Sequence, residues 1–544
     1  MTFLEDQDFS EIELIPDYYK GKTIFITGGS GFLGKALTEK LLHSCPGLDR
    51  VYLLLRTKRG VAPYERLAAL YSQPCFDRLR NERPGLFDSK VFFIAGDVGA
   101  KGLGISEEDR TLLINRTNII FHSAASVRFD DTLQAAVNLN LRGTIEMINL
   151  AKDMTQLESF VHVSTSYSNT SRDVIHERMY PPLADWRQLL DICDTTDPHT
   201  LHVLTPKILG QMPNTYVFSK QLAEHVVYET KGHLPIAIAR PSIVVASLSE
   251  PIPGWVDNFN GPTGILVAGA KGVLRTIYTD PDIISDYIPV DVVIKGLVTI
   301  AWARGTKKLE SSDDIPIYNT CTGGLTPITV QEIVSTGMET MKQVPLMDMF
   351  RPPRVDIERS KFVYNIKVLL YHFVPAILVD ILLRILGKKP MLLKIQRRIY
   401  TANIALEYYL TRQWTFDNTN FVELRSKIKP DDKELFFYSF EDIDAVAFYK
   451  ACITTSRKFL LNETEEDLPK AKKIYRSVPI GAEMQYLGLV LDSEWIFTPH
   501  FHRSALKLKK MTMALNPFLP KSVVHEDLQT ALYRSPAVLF GWNT

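Results

Sequence analysis

The chain is short of cysteine, and the few it has are scattered. Its 544 residues include five, Cys45, Cys75, Cys193, Cys321 and Cys452, odd in number and without any C-x-x-C pair. That excludes a disulfide framework and a cysteine zinc site, and it suits reduced thiols in a cytosol-facing protein. Net charge is missing as well, because 62 Lys and Arg balance 62 Asp and Glu. Nothing in that balance points to nucleic acid or to an acidic partner. The histidines, His372 among them, show no metal-ligand spacing, so no metal is expected. The opening MTFLEDQDFSEIELIPDYYKGK is acidic and lacks the basic start and apolar core of a signal peptide, so secretion is not expected. What the chain does have is core material. With 45% hydrophobic residues and this length it calls for more than one domain.

The most informative stretch is KTIFITGGSGFLGK, Lys22 to Lys35. Thr23 to Ile26 are mostly β-branched or aromatic, and Leu33, Leu37 and Leu41 then recur at helical spacing, so the glycines fall at a strand-to-helix turn. Gly28 and Gly31 let the backbone turn and approach a pyrophosphate where a Cβ would clash, and Gly34 lets the helix pack closely on the strand. The helix start, with Ser30, Phe32 and Leu33 beside the glycines, supplies amides for phosphate. VYLLL, Val51 to Leu55, reads as a second buried strand, and Arg56 follows it. An acidic residue there would hold the ribose hydroxyls of NAD, whereas an arginine accommodates the 2′-phosphate of NADP. Arg56, Lys58 and Arg59 therefore favour NADPH, against the alternative of a solvated basic loop.

Further strands are expected at Val91 to Val98, Asn118 to Ala125 and Phe160 to Thr165. Their alternation with helices predicts an α/β fold, a doubly wound parallel Rossmann-type sheet whose ligand lies along the carboxyl ends of the strands. Asp97, Val98, Ala124 and Ala125 would then line the cofactor. The fifth strand delivers hydroxyls to the same edge, and Tyr216 and Lys220 follow at i, i+4 on one helix face. In this arrangement the Thr165 hydroxyl would hold a substrate carbonyl oxygen and Tyr216 would supply the proton, with the Lys220 ammonium tuning the phenol and holding the nicotinamide ribose. Tyr-x-x-x-Lys alone is common by chance; the ordered set is specific. Ser164 and Ser166 flank Thr165 and leave the choice of hydroxyl open.

Carrying this set, the chain resembles the extended short-chain dehydrogenase/reductase group and, within it, the insect-like fatty acyl-CoA reductases that form alcohols. The likeness runs through FITGGSGFLGK, FHSAASVRFD, VHVSTSYSN, TPKILGQMPNTYVFSKQLAE, IARPSIVVAS, EPIPGWVDNFNGPTG and DYIPVDVV, from about Asp17 to Thr322. The resemblance implies reduction of a long-chain acyl-CoA to a primary alcohol by two NADPH, with CoA released. It also implies that Thr165, Tyr216 and Lys220 are catalytic and that Pro241 and Ile243, near the Arg240-Pro241-Ser242 segment, abut the nicotinamide. A membrane-associated, cytosol-facing location, endoplasmic reticulum or peroxisome, is expected. A sugar-nucleotide epimerase or dehydratase on the same fold, and a catalytically silent scaffold, are the competing classes. Arg56 argues against the first and the intact catalytic set against the second.

The interval containing YPPLADWRQLLD is longer than a sheet connection needs and is expected to form part of a lid. Gly254 to Ile277 reads equally as a loop and helix approaching a thioester or as a packed core helix. The expected domains are an extension at 1–16, a reductase domain with its substrate subdomain at 17–349, a mainly helical domain at 350–475 entered through FRPPR, and a divergent tail at 476–544. IKVLLYHFVPAILVDILLRILGKKP invites a membrane reading, but Lys367, His372, Asp380 and Arg384 interrupt a spanning length. It is expected to lie in the membrane interface or cover the acyl chain, with core packing as the alternative. The tail resembles a piece of a retrotransposon reverse transcriptase. It lacks the paired aspartates of a polymerase, so it is read as a fused fragment with no role in nucleic-acid binding.

Overall fold

A computed structural model describes residues 12–477, apart from 59, 307–313, 348, 350–351, 386 and 442. The tail expected from 476 onward therefore lies almost entirely outside the described residues, as does Arg59.

The apolar runs become the buried strands of one parallel sheet. They are β1 (Thr23–Thr27), β2 (Arg50–Leu55), β3 (Val91–Ala95), β4 (Ile119–His122), β5 (Ser159–Val163), β6 (Ile236–Ala239) and β7 (Ile317–Tyr318). Their spatial order is β7-β6-β5-β4-β1-β2-β3, and every pairing is parallel. Central strands β1, β4 and β5 are buried at every residue, which is why their sequences are apolar without alternation. At the edge, β3 buries Val91 and Ile94 and leaves the residues between and after them partly or fully open. The strand direction of winding reverses between β1 and β4, and there the loops after the two strands diverge to leave a crevice. The expected Rossmann-type sheet is thus the observed one.

Two compact units are present, and they are not consecutive in the chain. The first comprises the described residues of Met1–Pro253, Asp286–Thr326 and Trp414–Ile443, and contains the sheet. The second comprises those of Gly254–Ser285, Pro327–Gln413 and Asp444–Thr544. The single switch expected at 350 falls inside the second unit. The reason is local pairing: Asp356–Glu358 forms a short parallel ladder with Thr276–Tyr278, while Thr415–Phe416 returns to pair with Val174–Ile175 in the first unit.

Within the second unit, Pro262–Ala270 is a helix that packs against Val330–Gln343 and Ala445–Phe459. The stretch Gly254 to Ile277 thus contains a non-helical run before Gly261 and a packed helix after it. The three helices enclose an apolar crevice lined by Leu266, Ala270, Met338, Met341 and Ile453. Between Thr165 and Tyr216 in the first unit lie two helices, Trp186–Thr195 and Pro198–Leu209, whose first turns are capped by the side chains of Asp185 and Asp197.

Candidate active site

The glycine turn joins β1 to helix α1 (Phe32–Ser44). Gly28 has φ +76°, a left-handed conformation that favours glycine, and a Cβ there would lie 2.8 Å from the Ala124 amide nitrogen. A Cβ on Gly34 would lie 2.3 Å from the Gly28 carbonyl oxygen. Gly31 begins the helix without any side-chain cap, so no side chain competes for its first amides. A backbone cradle that side chains would fill, at the start of a helix, fits a dinucleotide pyrophosphate. Ser30, Phe32 and Leu33 all sit on this turn.

Ala124 and Ala125 follow β4, held by a chain of hydrogen bonds. Thr144 Oγ1 donates to the Asn140 carbonyl at 2.7 Å, so His122 Nε2 must donate to Thr144 at 3.1 Å. His122 Nδ1 then accepts from Thr27 Oγ1 at 2.8 Å, and Thr27 Oγ1 accepts from the Ala124 amide at 3.2 Å. Burial, with the Lys220 charge in second place, pushes His122 down to about 3, which keeps it neutral in this role.

Arg56 projects beyond β2 and donates to Asp97 at 3.2 Å. Asp97 also accepts the Gly99 amide at 3.0 Å, and Val98 packs under Gly143. β3 therefore ends at Ala95, short of the expected Val98, because Asp97 initiates a turn. Lys58 forms a tight backbone turn with Val61. The sequence reading missed Arg66. It lies on the helix Pro63–Tyr71, donates to Ser30 Oγ at 2.9 Å, and donates to the Arg56 carbonyl. Burial first, then the Arg56 charge, lowers its pKa. Two guanidiniums at the edge of the glycine turn are an arrangement that a phosphate dianion would relieve. Proline at the start of the helix after the basic loop was the available signal.

The reacting groups gather beyond β5 and on α2 (Thr215–Tyr228), which Asn214 caps at the Val217 amide, 3.1 Å. The Thr165 hydroxyl neighbours the Tyr216 phenol and acts to hold its pKa down. Burial nonetheless pushes the Tyr216 phenol up to about 12, so it stays protonated at neutral pH, as a proton donor must. Lys220, one helical turn beyond Tyr216, donates to the Val163 carbonyl at 2.7 Å. Thr165 Oγ1 also lies 3.4 Å from the Pro241 carbonyl, and the Ser166 amide donates to that carbonyl at 2.9 Å. Pro241 and the strand Ile243–Val245 are thereby brought to the Thr165 end of the sheet. Asn140, unsuspected from the sequence, accepts from the Ser126 amide at 2.8 Å and donates to Ser219 at 2.9 Å, tying the loop after β4 to α2. It sits in the π-helical turn Val137–Arg142, a distortion that sequence periodicity does not reveal.

The flanking serines have other work. Glu224, two turns beyond Tyr216, accepts from Ser164 and from Ser168, the latter at 3.1 Å. It also takes Arg240 bidentately, at 2.9 and 2.7 Å, with both side chains at most 1% exposed. Ser166 donates to the Arg240 carbonyl at 2.6 Å. Thr165 Oγ1 in turn accepts the Tyr167 amide at 3.2 Å, and it is the one of the three hydroxyls that acts on the Tyr216 phenol. Glu224→Gln is expected to cost about 3–5 kcal/mol of stability, because it leaves a buried guanidinium without its carboxylate. A lowered thermal midpoint checks this, and an unchanged one contradicts it.

Lys220 gives a pH expectation. Burial lowers its pKa to about 8, with Glu224 opposing. The ammonium is complete well below that value and is lost as pH rises through it. Cofactor affinity is expected to hold at neutral pH and fall above about 8, measured by fluorescence titration; an affinity flat to pH 9.5 would remove Lys220 from the ribose site.

Fold and site together define a nicotinamide-dependent reductase of the short-chain dehydrogenase type. Comparison narrows this. A NAD-binding family model described as male sterility protein matches residues 26–297, and a second model of the same description matches 371–463. Fatty acyl-CoA reductase 1 of Homo sapiens is 40% identical over 459 residues, which is 84% of this chain and 88% of that protein. Fatty acyl-CoA reductase wat of Drosophila melanogaster is 35% identical over 463 residues, 85% and 89% of the two chains. The chain belongs to the fatty acyl-CoA reductase family. Among solved structures, the reductase domain of a nonribosomal peptide synthetase from Mycobacterium tuberculosis shares the fold, with a TM-score of 0.52 at 17% identity, covering 82% of this chain and 94% of that one. The terminal R domain from the myxalamid pathway does so with a TM-score of 0.51 at 18% identity, covering 83% and 95%.

Proposed function

We propose that this protein reduces a long-chain fatty acyl-CoA to the primary alcohol, holding the aldehyde on the enzyme between two reductions. One thioester, two NADPH and two protons give one alcohol, one CoA thiol and two NADP+. What supports this most is the meeting of Tyr216 with Thr165 at the strand end beside Lys220, in a chain 40% identical to fatty acyl-CoA reductases over most of its length.

NADPH, when bound, supplies the hydride. Gly28, Ser30, Gly31, Phe32, Leu33 and Gly34 would hold the pyrophosphate, and Asp97, Val98, Ala124 and Ala125 would line the adenosine side of the crevice. Arg56, Arg66 and Lys58 would meet the 2′-phosphate, which favours NADPH over NADH. Pro241 and Ile243 would border the nicotinamide. Thr165 donates a hydrogen bond to the carbonyl oxygen of the substrate, and Tyr216 gives that oxygen its proton. Lys220 holds the ribose with its ammonium. A membrane-associated, cytosol-facing location at the endoplasmic reticulum or peroxisome goes with so lipophilic a substrate. The test is product analysis with NADPH and a panel of acyl-CoAs. Long-chain primary alcohol is the expected product; free aldehyde alone, or no reduction of any acyl-CoA, would overturn the reading.

A further inference from the structure

Among the described residues, only the helical segment Lys361–Ile385 is long and apolar enough to cross a membrane. Its two faces differ in kind. Tyr364, Val368, His372, Ala376, Asp380 and Leu383 recur every three or four residues and are buried. Phe362, Ile366, Leu370, Ile377, Ile381 and Ile385 point the other way and are exposed, Phe362 and Ile385 to 74%. At 1.5 Å per residue this apolar stripe runs about 35 Å, well beyond the scattered apolar residues of an ordinary surface. A π-helical turn, Leu369–Phe373, precedes Pro375, which has no amide to donate, and keeps the segment continuous.

The polar groups expected to interrupt the segment are mostly turned into the second unit. His372 Nε2 accepts the Arg275 amide at 3.1 Å. Asp380 accepts the amides of Met391, Leu392 and Leu393, each at 2.9 Å, and so caps the following helix, Leu392–Leu410. Lys367 pairs with Asp356 at 3.0 Å and with Glu358. These bonds tie the segment to its unit from one end to the other. A helix crossing a bilayer would have to surrender them or carry His372 and Asp380 into hydrocarbon. At the carboxyl end, Arg384, Lys388 and Lys389 are exposed.

We propose that the outward face of Lys361–Ile385 is the surface by which this protein docks on a lipid bilayer. The helix lies in the plane of the interface, its apolar stripe among the acyl chains and Arg384, Lys388 and Lys389 against anionic headgroups. A second copy of the chain would offer an apolar face but nothing for the cations; an anionic bilayer offers both. The proposal rests on the acyl-CoA reading only for the reason to be at a membrane.

The full chain is compared with a variant carrying Ile366→Glu, Leu370→Glu, Ile377→Glu and Ile381→Glu. Both are sedimented with phosphatidylcholine vesicles, with and without phosphatidylserine, and assayed for acyl-CoA reduction without vesicles. The parent is expected to bind, more tightly with phosphatidylserine, and to be released by alkaline carbonate. The variant is expected to lose at least about tenfold in vesicle affinity while keeping its activity in solution. Should the variant not fold, Arg384→Glu with Lys388→Glu must abolish the preference for phosphatidylserine. Carbonate-resistant parent, a variant that binds like the parent, or a parent dimer that the substitutions dissolve without altering vesicle affinity would each overturn the proposal. So would vesicle binding gained only when the chain is stopped after Ser477, since the tail would then be the occupant. Vesicle binding without reductase activity in either protein would instead sink the acyl-CoA reading and leave the docking surface standing.

Discussion

Tyr216→Phe is expected to lower alcohol formation by at least about 10²-fold while leaving NADPH affinity nearly unchanged. The substitution removes one hydroxyl and keeps the ring that packs 5.9 Å from Phe129, so the α2 helix and the Thr165 end of the sheet should stay in place. Lys220→Ala should behave differently, weakening both turnover and cofactor binding, because its ammonium is assigned to the ribose. Measuring NADPH affinity and turnover side by side separates the two. Substantial turnover by correctly folded Tyr216→Phe protein would remove Tyr216 from the mechanism.

The second large effect concerns the cofactor. The unmodified protein is expected to prefer NADPH, and Arg56→Asp to erase the preference by lowering kcat/KM with NADPH about 10²-fold, as loss of a charge-assisted contact and gain of repulsion imply. Asp97 already accepts from Arg56, so an aspartate there sets two carboxylates together. Arg56→Gln separates the lost attraction from the new repulsion and should show the smaller loss. Arg66→Gln should act in the same direction, since Arg66 reaches Ser30 on the glycine turn. Equal use of NADH and NADPH by the unmodified protein would contradict this assignment.

These residues also mark how far the sequence could be read. The glycine turn and the strands β1, β2, β4 and β5 are local patterns: a buried run followed by small residues or a helix, each legible within a short window. Arg56 was legible because it stands directly after a strand. Arg66 was not, because its reach to Ser30 spans 36 residues and depends on the direction of the intervening helix. Asn140 was hidden for a similar reason, its partners being Ser126 and Ser219 on other elements. Lys220 stands at helical spacing from Tyr216, but its immediate partner is the Val163 carbonyl, a contact no spacing rule supplies. The interleaving of the two units rests on ladders of two or three residues, too short to carry a periodic signal. Asp380 read as a charge interrupting an apolar run; it is a helix cap turned inward, and only the packing reveals that.

One active site that carries an acyl-CoA through two reductions imposes a fixed stoichiometry. The most direct measurement is stoichiometry: NADPH consumed and free CoA released, followed together in a single reaction with a long-chain acyl-CoA, with the alcohol quantified at the end. Two NADPH oxidised and one alcohol formed for each CoA released is the expected result. One NADPH per CoA with aldehyde accumulating in solution would contradict it.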